Sequence, residues 1–257
     1  MCELFGISSN RKIPVNALLR KFFSHGSEHP HGWGLAFFYG NSVSLEKQPE
    51  TSCISRYLKQ RLRTPIEADN MMAHIRLATR GVMEYENCHP FVMRDKYDRA
   101  WTLAHNGTIF ECDKMNLYCQ TQKGQTDSER ILCYLIDCIN REQAKLGCAM
   151  TAEERFHLVD DFVCRVSPEN KLNLLIYDGE LLYIHTNYAN SLYLCQKNGT
   201  AIVSTQPLNF DQWDPVPMNT LIAYQNGSLV FRGTDHGNEF FDSEEKMRLL
   251  FLDFSAL

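Results

Sequence analysis

No two of the ten cysteines are spaced C-x-x-C, so the chain offers neither a zinc-ribbon nor a thioredoxin-type pair. Nowhere do apolar residues run on for the ~18 positions of a membrane span. The N-terminus lacks a basic run, apolar stretch and small-residue cleavage site in series, so no signal peptide is expected, and a cytoplasmic setting with reduced thiols is. Positive charge is not in excess: 26 Lys and Arg face 31 Asp and Glu, a net −5, which argues against nucleic acid as partner. No Pro- or Ser-rich linker, low-complexity tract or helical repeat divides the 257 residues, so a single domain over 1–257 is expected.

What is present is ordinary for a soluble globular protein, with 44% hydrophobic and 22% charged residues, enough to bury a core without staples. Strand-like runs cover Glu3 to Ser8, Gly34 to Tyr39, Val43 to Lys47, Met71 to Arg76 and Ala100 to His105. Helices are expected over Val15 to Ser24, Ser55 to Arg63 and Ala152 to Cys164. From Ser128 to Leu146, Ile131, Leu132, Leu135, Ile136 and Ile139 form a stripe at helical spacing. The last third changes period. Three strand pairs flank Asp178-Gly179, Asn198-Gly199 and Asn226-Gly227, dipeptides suited to the type I′ hairpin turn. Strands, then helices, then hairpins predict an α+β fold with layered antiparallel sheets.

Several short motifs could carry chemistry, and each has a plainer reading. Cys2 is a small apolar residue before a strand; with Met1 removed, it also holds a thiol and a free α-amine, nucleophile and base in one residue. Their ordinary pKa values, about 8.5 and about 7.7–8.0, let the amine accept a proton near neutrality. His105-Asn106-Gly107 reads as a hairpin turn, or as an oxyanion hole in which the Asn106 amide and Gly107 N–H converge. HIRLATRG, residues 74–81, ends a strand with Arg76 and Arg80, either solvated or gripping a carboxylate. Thr126-Asp127-Ser128-Glu129 fits a helix capping box, and Asp127 could also face an ammonium. His25, His29 and His31 suggest a metal, but Pro30 and Gly32 break any regular face and no further ligand pair is spaced for one, so no metal is expected.

Taken together and in order, Cys2 with ELFGI, HGWGLAFF, HIRLATRG, NCHPF, LAHNG and TDSE resemble the class II glutamine amidotransferases, which are N-terminal nucleophile hydrolases. The late segment VSTQPLNFDQWDPVPMNTLIAY and the overall length are similar to stand-alone members of the YafJ type. The resemblance implies a four-layer αββα sandwich, two antiparallel sheets between helical layers. It also implies roles. Cys2 would attack the γ-carboxamide of glutamine with its own α-amine as base, and Asn106 and Gly107 would form the oxyanion hole. Arg76, assisted by Thr79, would hold the substrate α-carboxylate, and Asp127 the α-ammonium, with the Gly107 carbonyl nearby. His89 would support the pocket. Three positions depart from the family pattern: Leu77 stands where multidomain relatives often have Trp, Arg80 where they have His, and His31 where stand-alone members commonly have Asp.

The reaction so implied is cleavage of glutamine or a γ-glutamyl small molecule through a Cys2 thioester, with no cofactor. Ammonia would pass to a separate partner, a synthase or peptidase subunit, or no partner would accept it and the chain would hydrolyse a γ-glutamyl compound outright. The alternative is a glutamine- or γ-glutamyl-binding regulatory subunit that keeps Met1 and never turns over. Neither membrane nor nucleic acid is expected as a partner.

Overall fold

The computed structural model describes residues 2–78, 81–244 and 246. In chain order the first third forms β1 (Glu3–Pro14), α1 (Asn16–Phe23), β2 (Trp33–Tyr39), β3 (Ser42–Gln48), α2 (Arg56–Arg61) and β4 (Glu67–Ile75). The middle forms β5 (Phe91–Arg94), β6 (Ala100–Thr108), the short α3 (Asp113–Asn116), α4 (Asp127–Leu146) and α5 (Ala152–Val166). The last third is β7 (Lys171–Tyr177), β8 (Leu182–His185), β9 (Tyr193–Lys197), β10 (Thr200–Ser204), β11 (Asp214–Pro215), β12 (Thr220–Gln225) and β13 (Ser228–Asp235). Among the described residues no helix is long and apolar enough to cross a membrane.

Two antiparallel sheets result, with strand orders β11-β9-β10-β1-β4-β2-β3 and β13-β12-β8-β7-β6-β5. Alternation along each strand assigns its two faces. On β1, Phe5 and Ile7 join β2 residues Trp33, Leu35 and Phe37 and α1 residues Leu19 and Phe22 in one outer core. On β6 and β7, Trp101, Leu103, Leu172, Leu174 and Ile176 pack beneath α4 and α5 in the other. The intervening residues Leu4, Ala36, Met72, Ala104 and Leu175 fill the space between the sheets. The order of layers is therefore helix, sheet, sheet, helix, as the resemblance implied.

The apolar stripe of α4 lies wholly in the outer core. Thr126 caps that helix by accepting from Glu129 N–H, but Glu129 does not close the expected capping box. Its carboxylate instead accepts from Lys123 N–H (2.8 Å) and Gly124 N–H (2.7 Å), bracing the preceding loop. The reciprocal box occurs one helix later, between Thr151 and Glu154.

Two of the three expected hairpin turns have the expected form. Lys197 pairs with Thr200 around Asn198 (φ 52°) and Gly199 (φ 70°), and Gln225 pairs with Ser228 around Asn226 (φ 50°) and Gly227 (φ 75°). The third is corrected: Tyr177 pairs with Leu182, so residues 178–181 form a longer loop. The cause is Asp178, whose buried carboxylate accepts from Glu180 N–H (2.9 Å), Leu181 N–H (2.7 Å), Tyr183 O–H (2.8 Å) and Arg155 Nε (2.6 Å). An inward-facing aspartate cannot also serve as the first corner of a solvent-facing two-residue turn.

Candidate active site

The N-terminal end of β1 is pinned on its outer face by Glu3. Its buried carboxylate accepts from Thr205 Oγ1 and Gln206 Nε2 (3.0 Å) and faces His25 (3.5 Å) and His29 (3.9 Å). Two of the three early histidines are thus drawn to one carboxylate. The third turns elsewhere: His31 Nδ1 accepts from Ala78 N–H (2.8 Å). Parity puts the side chain of Cys2 opposite to that of Glu3, towards the space between the sheets.

Cys2 keeps some exposure as a residue, while its sulfur is held against Leu77, whose N–H and carbonyl both lie 3.3 Å away. Burial pushes the thiol pKa above its ordinary value; the Leu77 N–H and the positive charge of Arg76 act against that, and Asp127 adds to it. Cys2 and Arg76, far apart in sequence, are therefore close enough to shift each other's ionisation, and both feel the charge of Asp127. The thiol is protonated at neutral pH, and a base must take its proton before it can attack.

Arg76 follows directly after β4 and is 2% exposed, not the solvated strand-end arginine of the plainer reading. Its guanidinium donates to the carbonyls of Gly81 (2.9 Å) and Val82 (3.1 Å), so the loop that follows it is folded around the cation. That loop is laced to the one before α4: Asn87 Nδ2 donates to the Val82 carbonyl (3.0 Å) and Asn87 Oδ1 accepts from Gln125 N–H (2.7 Å). Thr79 and Arg80 lie outside the described residues.

Asn106 and Gly107 do not form a turn. Both are strand residues of β6, paired with Asn173 and Leu172 of β7. On its other side β6 is covered only as far as Leu103, opposite Phe91 where β5 begins, so among the described residues its edge from Ala104 onward has no neighbouring strand. The His105 carbonyl points to this open edge, where it accepts from His74 Nε2 (3.3 Å), and the Ile109 N–H points there too, to Asp127 Oδ2 (2.8 Å). Alternate residues of a strand direct their backbone groups the same way. The Gly107 N–H and carbonyl, midway between, therefore face the same gap. A side chain at 107 would run into the Lys171 carbonyl and come within 2.5 Å of His105 Nε2, which requires glycine. The Asn106 side chain lies on the inter-sheet face with Ala104, 4% exposed, and no hydrogen-bond partner of its amide is found among the described residues.

Asp127 opens α4 and is 5% exposed. Its Oδ1 accepts from Ser128 N–H (2.9 Å) and Oδ2 from Ile109 N–H (2.8 Å), so backbone groups orient it, and no side-chain cation pairs with it among the described residues. His89 lies inside, 3% exposed, with its ring stacked 4.1 Å from that of His74. Burial holds His89 well below the ordinary histidine pKa and His74 down to about 3, so both are neutral. Gly34 lets this layer approach, because a Cβ there would overlap the His89 carbonyl oxygen.

Sequence reasoning left His74, His105 and Ser128 without roles, although each sits inside a motif that it singled out. Their signal was available: a histidine two residues before the arginine, one before Asn-Gly, and a serine after the aspartate.

The family model for glutamine amidotransferases class-II matches residues 1–199. The chain is 28% identical over 259 residues to an uncharacterised protein of Methanocaldococcus jannaschii, covering 90% of this chain and 71% of that one. It is 29% identical over 234 residues to YafJ of Escherichia coli, a candidate glutamine amidotransferase, covering 88% and 90%. The fold superposes with a TM-score of 0.64 on the glutamine phosphoribosylpyrophosphate amidotransferase of Bacillus subtilis at 15% identity, over 89% of this chain and 48% of the larger one, so the two share a fold. With the model match covering most of its length, the chain belongs to the class II glutamine amidotransferases.

Proposed function

We propose that this chain, as one domain, hydrolyses the γ-amide of glutamine or a γ-glutamyl compound through a thioester on Cys2. The observation that carries the reading is the convergence of the Cys2 thiol, the Arg76 guanidinium and the Asp127 carboxylate beside the open edge of β6. A glutamyl group carries a carboxylate for Arg76, an ammonium for Asp127 and a reactive carbonyl for Cys2. The Cys2 α-amine, free once Met1 is removed, takes the thiol proton; sulfur bonds to the amide carbon and the developing oxyanion is met by the Asn106 amide and the Gly107 N–H. Collapse expels ammonia or an amine, which carries the proton away, and water then cleaves the thioester through a second oxyanion. Thr79 assists Arg76, and His89 supports the pocket through its stack on His74. The reaction needs no metal or organic cofactor, runs in the cytoplasm, and delivers its ammonia to a separate synthase or works beside a peptidase.

The test is ammonia and glutamate release from L-glutamine and from γ-glutamyl peptides, by protein whose mass shows a Cys2 terminus, beside Cys2→Ala. Release that disappears in Cys2→Ala is the expected result. Binding of glutamine with no release from any of these substrates would replace this reading with that of a regulatory binding subunit.

A further inference from the structure

His105 is almost wholly buried, at 1% exposure, and both of its ring nitrogens are engaged. Its Nε2 lies 3.0 Å from the Lys171 carbonyl, and its Nδ1 lies 3.0 Å from Ser128 Oγ. A carbonyl only accepts, so Nε2 carries the proton. Burial holds the imidazole below its ordinary pKa, although Asp127 and the Lys171 carbonyl act the other way, so the ring is neutral and Nδ1 is left as an acceptor. The titratable groups around it are Asp127 on α4, His74 at the end of β4, His89 ahead of β5 and His185 on β8.

Ser128 has one hydroxyl proton and two places to put it. Asp127 Oδ1 lies 3.4 Å from Ser128 Oγ, longer than the 3.0 Å to His105 Nδ1. A neutral imidazole with Nε2 protonated satisfies Nδ1 only if the serine donates to it. The hydroxyl then turns a lone pair towards Asp127, and the carboxylate keeps its charge undiluted by a side-chain donor.

We propose that His105 is a positioning residue for substrate recognition: by accepting the Ser128 O–H hydrogen bond at Nδ1, it leaves the Asp127 carboxylate to pair with the α-ammonium of the substrate. This rests on the reading of Asp127 given above and adds a residue to it. Without the Nδ1 acceptor, the Ser128 hydroxyl swings to Asp127 Oδ1 and competes with the incoming ammonium.

The test is binding, so that it does not depend on turnover. In Cys2→Ala protein, calorimetry measures the preference for L-glutamine over glutaramate, which is glutamine without its α-ammonium. His105→Gln retains an amide donor towards the Lys171 carbonyl and removes the acceptor facing Ser128. The preference should fall about fivefold, the worth of one redirected hydrogen bond. Adding Ser128→Ala to His105→Gln removes the competing hydroxyl and should restore the preference to within about twofold of the parent, a coupling expected only of groups in contact. Equal weakening of both ligands by His105→Gln, or no restoration in the double variant, overturns the proposal. So does failure of the parent protein to bind glutamine, and ammonia release by the wild type then decides separately whether the hydrolase reading stands. For a His105→Gln chain that does not fold, 15N spectra of histidine-labelled wild type decide. Nδ1 unprotonated between about pH 6 and 8 is expected, and an Nδ1–H overturns it.

Discussion

Asp127→Asn separates the structural work of this side chain from its proposed work on substrate. The carboxylate accepts two backbone N–H groups, from Ile109 and Ser128, one on each oxygen. Asparagine offers one oxygen and one NH2, so one of these N–H groups must face another donor. A buried N–H without an acceptor costs about 1–3 kcal/mol, and loss of negative charge from the first turn of α4 about 0.3–1 kcal/mol more. A sum of about 1.3–4 kcal/mol corresponds to a melting point lower by roughly 3–16 °C in a chain of this size. The effect on substrate is separate. Losing a charge-assisted hydrogen bond, worth about 1.5–3 kcal/mol, raises KM for glutamine about 10- to 100-fold. Glutaramate has no ammonium, so its KM should move by no more than about twofold. Ammonia release from both compounds, below the melting point of the variant, measures this. A loss shared equally by the two substrates, or a fall in kcat with KM for glutamine unchanged, would refute the pairing of Asp127 with the ammonium.

Gly34→Ala should destabilise by about 1–3 kcal/mol or prevent folding, because its Cβ would overlap the His89 carbonyl and lie 3.1 Å from Pro90 Cδ; an unchanged thermal melt would show that these layers can separate freely. Arg155→Ala should cost about 3–5 kcal/mol, since it strips the buried Asp178 carboxylate of its 2.6 Å partner. A urea midpoint within error of wild type would contradict that. Acid should weaken the fold through His74 and His185, both fully buried and both held down to about 3. Their folded pKa values are depressed, so the unfolded chain binds the extra protons: the stability is complete above about pH 6.5 and is lost as pH falls towards 3, by up to about 1.4 kcal/mol per pH unit for each ring. Urea unfolding at pH 7 and pH 5 tests this, and equal midpoints would be the wrong outcome.

How much of the fold was legible follows from how local its determinants are. The α4 stripe needed only helical periodicity, and the Asn198-Gly199 and Asn226-Gly227 hairpins needed only a turn that demands positive φ. Asp178-Gly179 carried the same signal but folds otherwise, because a tertiary partner, Arg155, claims the aspartate from 23 residues upstream. The Thr126–Glu129 box failed for a similar reason, its glutamate being taken by the loop at Lys123 and Gly124. Where a motif's residues have only each other to bond, sequence suffices; where a buried donor lies elsewhere in the chain, it does not.

The site shows the same division at higher stakes. Read alone, Asn106-Gly107 favours a turn, since nothing within five residues reveals that β5 begins only at Phe91 and leaves an open strand edge there. That edge is what turns a strand segment into a candidate anion site: a paired strand spends its N–H groups on its neighbour, while an edge facing a buried gap has them to offer. Ile109 gives its N–H to Asp127 and His105 gives its carbonyl to His74, and Gly107 sits between these two engaged positions, facing the same side. The functional reading of His-Asn-Gly therefore depends less on the tripeptide than on the shortness of β5, a property of a different part of the chain. Extending β5 backward from Phe91 would cover the Gly107 N–H with a ladder bond while altering none of the His-Asn-Gly residues.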